Sequence, residues 1–254
     1  MPQDNASRPI LAVLALIGLT FAVFSIWPGI DLWVSGLAYD PTTGFWIDGL
    51  PASGLIRRVI WGLSIAMVLA AMIAFGWGFV SSRAAPNLHR RVWVFILLLY
   101  TLGPGLIVNV LLKAHWGRAR PANILEFGGT AHFTPPIQIT DQCARNCSFV
   151  SGEGSAAMAL AVSILMILHH LGPRIAPATL RLGQVFAGTL VILGGAQRVA
   201  TGRHFLSDAV IAILLVLLIA FVLIRLLKLP HVPPQNASGA AVDNPGDSPY
   251  TPPT

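Results

Sequence analysis

Arg198-Val199-Ala200-Thr201-Gly202-Arg203-His204-Phe205-Leu206-Ser207-Asp208 leads straight into an apolar run that continues to residue 229. Two cations, a histidine and a carboxylate therefore stand at the mouth of a segment long enough to cross a bilayer, which takes about 20 mostly apolar residues. Charged groups at such a place are costly unless paired or hydrated, and they are read by default as functional. Two further stretches are placed in the same way. Lys113-Ala-His-Trp-Gly-Arg-Ala-Arg120-Pro121 closes an apolar run, and Ser151-Gly152-Glu153 opens one.

Composition agrees with membrane residence. Hydrophobic residues make up 55% of the 254 and charged residues 10%, against roughly 25% charged in soluble domains. Apolar runs at about 10–27, 59–80, 92–112, 150–171, 184–199 and 206–229 predict an all-α bundle of six membrane spans. The fifth is short and its edges are weakly marked. Gly103-Pro104-Gly105 and Gly194-Gly195 fall inside spans, where they mark kinks or close packing. The first run lacks the basic start and small-residue cleavage site of a signal peptide, so it is read as a span. Residues 1–229 form one domain without internal repeats. Residues 230–254, rich in Pro, Ser and Gly, read as a disordered tail. Within 28–58, the aromatic-rich piece around Ile30–Leu37 reads as interfacial anchoring, with substrate gating as the alternative.

Orientation follows the Lys/Arg balance. Arg83, Arg90 and Arg91, then Arg174 and Arg181, then Arg225 and Lys228 fall on one side, assigned to the cytoplasm with both termini. The loops at 113–149 and 200–205 then face outward and carry all three charged stretches. The net charge of +6 is largely this topology signal and does not indicate nucleic-acid binding. Cys143 and Cys147 lie in the outward loop, where an oxidising compartment favours a disulfide over two free thiols. With only scattered histidines such as His115 and His132 nearby, they do not form a zinc-ligand spacing.

The chain has ten acids, only two of them glutamates. Glu153 and Asp208 alone lie within the starts of apolar spans. His204 and Asp208, four residues apart, share a face if both are helical. Asp208 is then expected to accept one ring proton and leave the other nitrogen nucleophilic. Lys113, Arg118 and Arg120 supply phosphate-binding cations. Their position on the outward side, where positive residues are less expected, calls for a reason beyond topology. Ser151 and Gly152 at a helix start offer backbone N–H groups to an anion.

The three stretches resemble the motifs of the type 2 phosphatidic acid phosphatase superfamily, which also includes vanadium haloperoxidases. Lys-x6-Arg-Pro is complete from Lys113 to Arg120-Pro121. Arg-x5-His-x3-Asp is complete from Arg198 through His204 to Asp208, with Gln197 where the family has a leading serine. The middle motif, Pro-Ser-Gly-His in the family, reads Val150-Ser151-Gly152-Glu153. The resemblance covers about residues 55–229.

It implies a metal-independent lipid phosphatase of the bacterial inner membrane, without cofactors and with its site at the periplasmic face. Lipid A, undecaprenyl pyrophosphate, phosphatidylglycerophosphate and phosphatidate are the candidate substrates, the first two favoured by the outward, cysteine-bearing loop. His204 would form a phosphohistidine, with Asp208 orienting it. Lys113, Arg120, Ser151, Gly152 and Arg198 would hold the phosphoryl oxygens, with Arg118 and Arg203 accessory. Glu153 stands where the family's histidine protonates the leaving oxygen. It is expected to take that role, or else to organise Arg198 or the head group. A lipid-to-lipid phosphotransferase uses the same residues, and a non-catalytic lipid-binding or transport protein is the remaining alternative.

Overall fold

The computed structural model describes residues 7–80, 90–172 and 175–229. The predicted tail at 230–254 and two topology-setting arginines, Arg83 and Arg174, lie outside the described residues. The chain forms α1 (Arg8–Ile26), α2 (Gly29–Gly36), a small hairpin of β1 (Tyr39–Asp40) and β2 (Gly44–Phe45), α3 (Pro51–Val80) and α4 (Arg90–Tyr100). The fourth helix continues without a break as a π-helix over Thr101–Leu112 and a last α-turn, Lys113–His115. Then follow α5 (Gly152–Leu171), α6 (Pro177–Ala200) and α7 (Leu206–Leu226).

Six of these helices are long and apolar enough to cross a membrane: Arg8–Ile26, Pro51–Trp77, Arg90–His115, Gly152–Leu171, Pro177–Ala200 and Leu206–Leu226. Together they form the expected bundle. The fifth span begins well before the expected residue 184, because Pro177 follows an extended Ala176 and supplies a preset first turn. Apolar side chains such as Leu11, Leu19, Ile73, Leu182 and Ile192 are exposed on the outside of the bundle. In a bilayer that surface meets lipid tails. The backbone stays satisfied inside each helix.

Helix α5 is the axis of the bundle and packs against α3, α4, α6 and α7. Small residues make this possible. Ala156, Ala157, Ala159 and Ala161 are all buried along it, and small side chains let membrane helices approach closely. Below the charged end, Val92, Phe95, Ile96 and Leu99 of α4 meet Val216, Ala220 and Leu223 of α7 in the main apolar core. The π-helix surrounds Pro104, which has no N–H to give and whose ring crowds the preceding turn. Asn109 donates from Nδ2 to the Pro104 carbonyl at 2.6 Å. The widened helix carries Asn109 and Lys113 to the same cavity.

The segment around Ile30–Leu37 is the short helix α2. It does more than anchor: Asp31 and Ser35 on it are fully buried. The β1–β2 hairpin is held at its turn by the Asp40 carboxylate, which accepts N–H groups from Thr42 at 2.8 Å and Thr43 at 3.0 Å. Those hydrogen bonds hold the exposed carboxyl below its usual pKa.

Candidate active site

Backbone hydrogen bonds tie the three charged stretches into one unit. The Ser148 N–H donates to the Arg118 carbonyl at 2.8 Å, Ser151 N–H to the Asp208 carbonyl at 3.3 Å, and Ala122 N–H to the Gly202 carbonyl at 3.0 Å. The end of α6 wraps so that both Arg203 and His204 donate their N–H groups to the Arg198 carbonyl. Gly202 makes this turn at φ +64°. A Cβ there would run into the Phe45 ring at 2.4 Å, so both the conformation and the space require glycine.

A polar cavity of about 450 Å³ opens between α3, the end of the π-helix, the start of α5 and the end of α6. Lys113, Arg120, Gly152, Glu153, Arg198 and Arg203, all singled out in the sequence, line it. Gly152 brings its bare Cα against Lys113; a Cβ would sit 3.3 Å from the ammonium nitrogen. The Glu153 carboxylate is held from two sides. Arg57 Nε approaches Oε1 at 3.2 Å and Arg198 Nε approaches Oε2 at 3.4 Å. The Arg203–Asp48 pair, 2.7 Å apart, closes one rim.

His204 lies directly behind Glu153, with its Nε2 3.8 Å from Oε2, and it is fully buried. Its Nδ1 is 2.6 Å from the Ser148 carbonyl oxygen. A carbonyl can only accept, so the proton sits on Nδ1 and the Nε2 lone pair is free. Nε2 has no hydrogen-bond partner in the structure. Burial holds this imidazole below its ordinary pKa, against the pull of Glu153. The ring therefore presents an unpartnered Nε2 lone pair towards the cavity-lining carboxylate.

Asp208 does not orient His204 by direct contact, contrary to the expectation. The helix begins at Leu206, so His204 lies in the bend before it and the two do not share a helical face. Asp208 turns back instead and accepts the Phe205 N–H at 3.0 Å and the Ser148 hydroxyl. Ser148 lies between the two: its hydroxyl donates to Asp208 and its carbonyl holds Nδ1.

Two other expected phosphate ligands are placed elsewhere. Ser151 is buried as the cap of α5, its Oγ accepting the Gly154 N–H at 3.1 Å, and it does not line the cavity. Arg118 is fully buried on the far side of His204. It donates to Asp208 Oδ1 at 2.6 Å, Asp31 Oδ2 at 2.9 Å, Ser207 Oγ at 2.8 Å and the Thr134 carbonyl at 2.8 Å. The Phe205 ring covers its guanidinium, with the carbon 4.2 Å from the centroid. The partner Asp31 comes from α2. Burial raises its carboxyl above the usual range by more than Arg118 lowers it. Cys143 and Cys147 form the expected disulfide.

Asp31, Arg57, Asn109 and Ser148 were not among the expected site residues. Arg57 carries a signal that sequence reasoning passed over. The same lysine–arginine balance assigns the 28–58 loop to the outward side, so Arg57 is a cation there, the same oddity that singles out Lys113.

The PAP2 superfamily model matches residues 93–229, more than half of the chain. This chain belongs to the PAP2 superfamily. It is 32% identical over 203 residues to a lipid A 4′-phosphatase of Rhizobium leguminosarum, covering 75% of this chain and 84% of that one. A lipid A 4′-phosphatase of Francisella tularensis subsp. novicida is 30% identical over 204 residues, covering 78% and 87%. One of Rhizobium etli is 34% identical over 206 residues, covering 74% and 75%. The fold also matches the crystal structure of a transmembrane PAP2-type phosphatidylglycerolphosphate phosphatase from Bacillus subtilis. The TM-score is 0.55 with 19% identity, over 87% of this chain and 96% of that one. The family resemblance carried by the three motifs is thus borne out, and this PAP2 protein is a multi-pass membrane protein among membrane phosphatases.

Proposed function

We propose that this PAP2 protein hydrolyses a phosphate monoester on a membrane lipid, with lipid A as its substrate, through a phosphohistidine on His204. The observation that carries the mechanism is the state of His204. Nδ1 is committed to a carbonyl, and Nε2 is unpartnered and aimed at a carboxylate that lines a cationic cavity. The names of the curated relatives support the substrate.

Lys113, Arg120 and Arg198 take the phosphoryl oxygens, aided by Arg57. As the phosphate arrives, it replaces Glu153 on Arg57 and Arg198. The Nε2 lone pair attacks phosphorus, and the ester P–O bond breaks opposite to it. The proton of the phosphate monoanion passes by way of Glu153 to the leaving oxygen. Water then attacks the phosphohistidine, gives up a proton to Glu153 and releases inorganic phosphate. Fixed cations around a developing charge account for the larger part of such catalysis, and the proton relay contributes about 10²–10⁴-fold. The cations supply the charge that a metal ion would otherwise bring, so the reaction proceeds in EDTA. The site faces the periplasm and both termini face the cytoplasm, a placement supported by the lysine–arginine balance and the disulfide.

The test is phosphate release by purified protein from lipid A, undecaprenyl pyrophosphate, phosphatidylglycerophosphate and phosphatidate, with and without EDTA. Lipid A is expected to be turned over fastest, and His204→Ala to be inactive on all four. Activity that survives His204→Ala overturns the mechanism. Faster turnover of another lipid overturns the substrate assignment.

A further inference from the structure

A second polar cavity, of about 440 Å³, opens beside the first and shares Arg120, Asn146 and Arg203 with it. Its own walls include Asn123, Gln142 and Arg145. All of these residues lie outside the six membrane-spanning segments, so acyl chains have no place there. The scissile phosphate already has the neighbouring cavity. The partition between the two is thin: Arg120 crosses it to donate from Nη2 to the Asn146 carbonyl at 2.7 Å.

The walls are built before any ligand arrives. The Cys143–Cys147 disulfide holds the loop that carries Gln142, Arg145 and Asn146. The Asn123 carbonyl accepts N–H groups from Thr130 at 3.0 Å and Ala131 at 2.9 Å. The charged lining residues, Arg120, Arg145 and Arg203, are all cationic. Asn123 offers a donor and an acceptor, which suits hydroxyl and amide groups; Gln142 accepts the His132 N–H at 2.8 Å and donates to Asp141 at 3.1 Å, and keeps one N–H and one lone pair beyond these. The volume falls in the range of small-molecule sites, about 300–1,000 Å³.

We infer that this second cavity is the subsite for the non-reacting head group of the lipid, a polyhydroxylated sugar unit bearing a negative charge. The inference rests on the phosphatase reading above and deepens it. A lipid whose reacting phosphate is attached to a sugar reaches across Arg120 and fills both cavities. Phosphatidate, with nothing beyond its phosphate but glycerol and acyl chains, leaves the second cavity to water. The cavity therefore selects glycolipid phosphates by KM and leaves the chemistry at His204 unaltered.

The test uses the full chain in detergent with lipid A and dioleoyl phosphatidate as substrates. Arg145 is exposed, so its replacement leaves the fold intact. Losing a charged hydrogen-bonding group is expected to raise KM for lipid A about tenfold in Arg145→Ala. Turnover number stays the same, phosphatidate kinetics do not change, and Arg145→Lys recovers most of the loss. An unchanged KM for lipid A, or an equal rise for phosphatidate, overturns the subsite. Failure of the phosphatase reading shows separately, as no phosphate released by the wild type from either lipid. Equilibrium binding of radiolabelled lipid A to wild type and Arg145→Ala then decides the subsite: weaker binding by the variant supports it, and equal binding overturns it.

Discussion

Two arginine–carboxylate clusters flank His204, and they differ in their access to water. On one side Arg118 binds Asp31 and Asp208 with all three side chains fully excluded from solvent. On the other, Glu153 is held by Arg57, whose side chain is 54% exposed, and by Arg198 at the cavity wall. The difference separates positioning from exchange. A sealed cluster cannot release its partners without leaving a buried charge alone, so it fixes the Ser148–Asp208 frame that holds the imidazole. An open cluster can trade its carboxylate for an incoming phosphate, because water and substrate compensate the arginines during the swap.

The contrast fails or sharpens first in stability. Removing one partner of a buried ion pair costs about 3–5 kcal/mol, whereas an exposed pair contributes about 0–1 kcal/mol. Arg118→Ala is therefore expected to lower unfolding free energy by about 3–5 kcal/mol, and Arg57→Ala, which removes a half-exposed cation and leaves Glu153 paired with Arg198, by no more than about 1 kcal/mol. Denaturant melts of the two variants in the same detergent measure this. Equal losses would mean that the two clusters do the same job. Next comes turnover. Glu153→Gln keeps the shape of the open cluster but cannot relay a proton, and kcat should fall by about 10²–10⁴-fold. The fall should be smaller on an aryl phosphate, whose leaving oxygen needs no proton. Equal falls on both substrates would remove Glu153 from the proton path.

The smallest expected effect is in pH dependence. Burial holds the His204 pKa down, and only the neutral ring has a free Nε2. As pH falls through that pKa, the ring gains a proton and kcat/KM is lost. The acid limb should therefore have its midpoint below about 6.5, the ordinary imidazole value. A limb centred above that value would mean that Glu153, not burial, governs the ring.

The spans and the motifs are legible in the sequence because both are local. An apolar run and a Lys-x6-Arg-Pro spacing need no knowledge of what packs against them. Lys113, Arg120, Gly152, Glu153, Arg198 and Arg203, which stand out in the sequence, meet at one cavity. What is not legible depends on contacts between distant segments. Four-residue spacing suggests a direct His204–Asp208 contact, yet the helix starts two residues too late for it, and Ser148 comes between. Arg118 reads as one more phosphate-binding cation until Asp31 arrives from a helix far away in the chain and seals it. Ser151 reads as an anion donor, but its N–H goes to the Asp208 carbonyl and its hydroxyl, buried at the cap of α5, does not line the cavity.

The account stands most directly on the chemistry of His204 Nε2. Rapid acid-free quenching of the protein with lipid A carrying radiolabelled phosphate, followed by peptide mapping, measures it. The expected result is label on the peptide containing His204, stable in base and lost in acid, and absent from His204→Ala. Rapid phosphate release with no protein-bound label at any time point, or label on a different residue, would contradict the account.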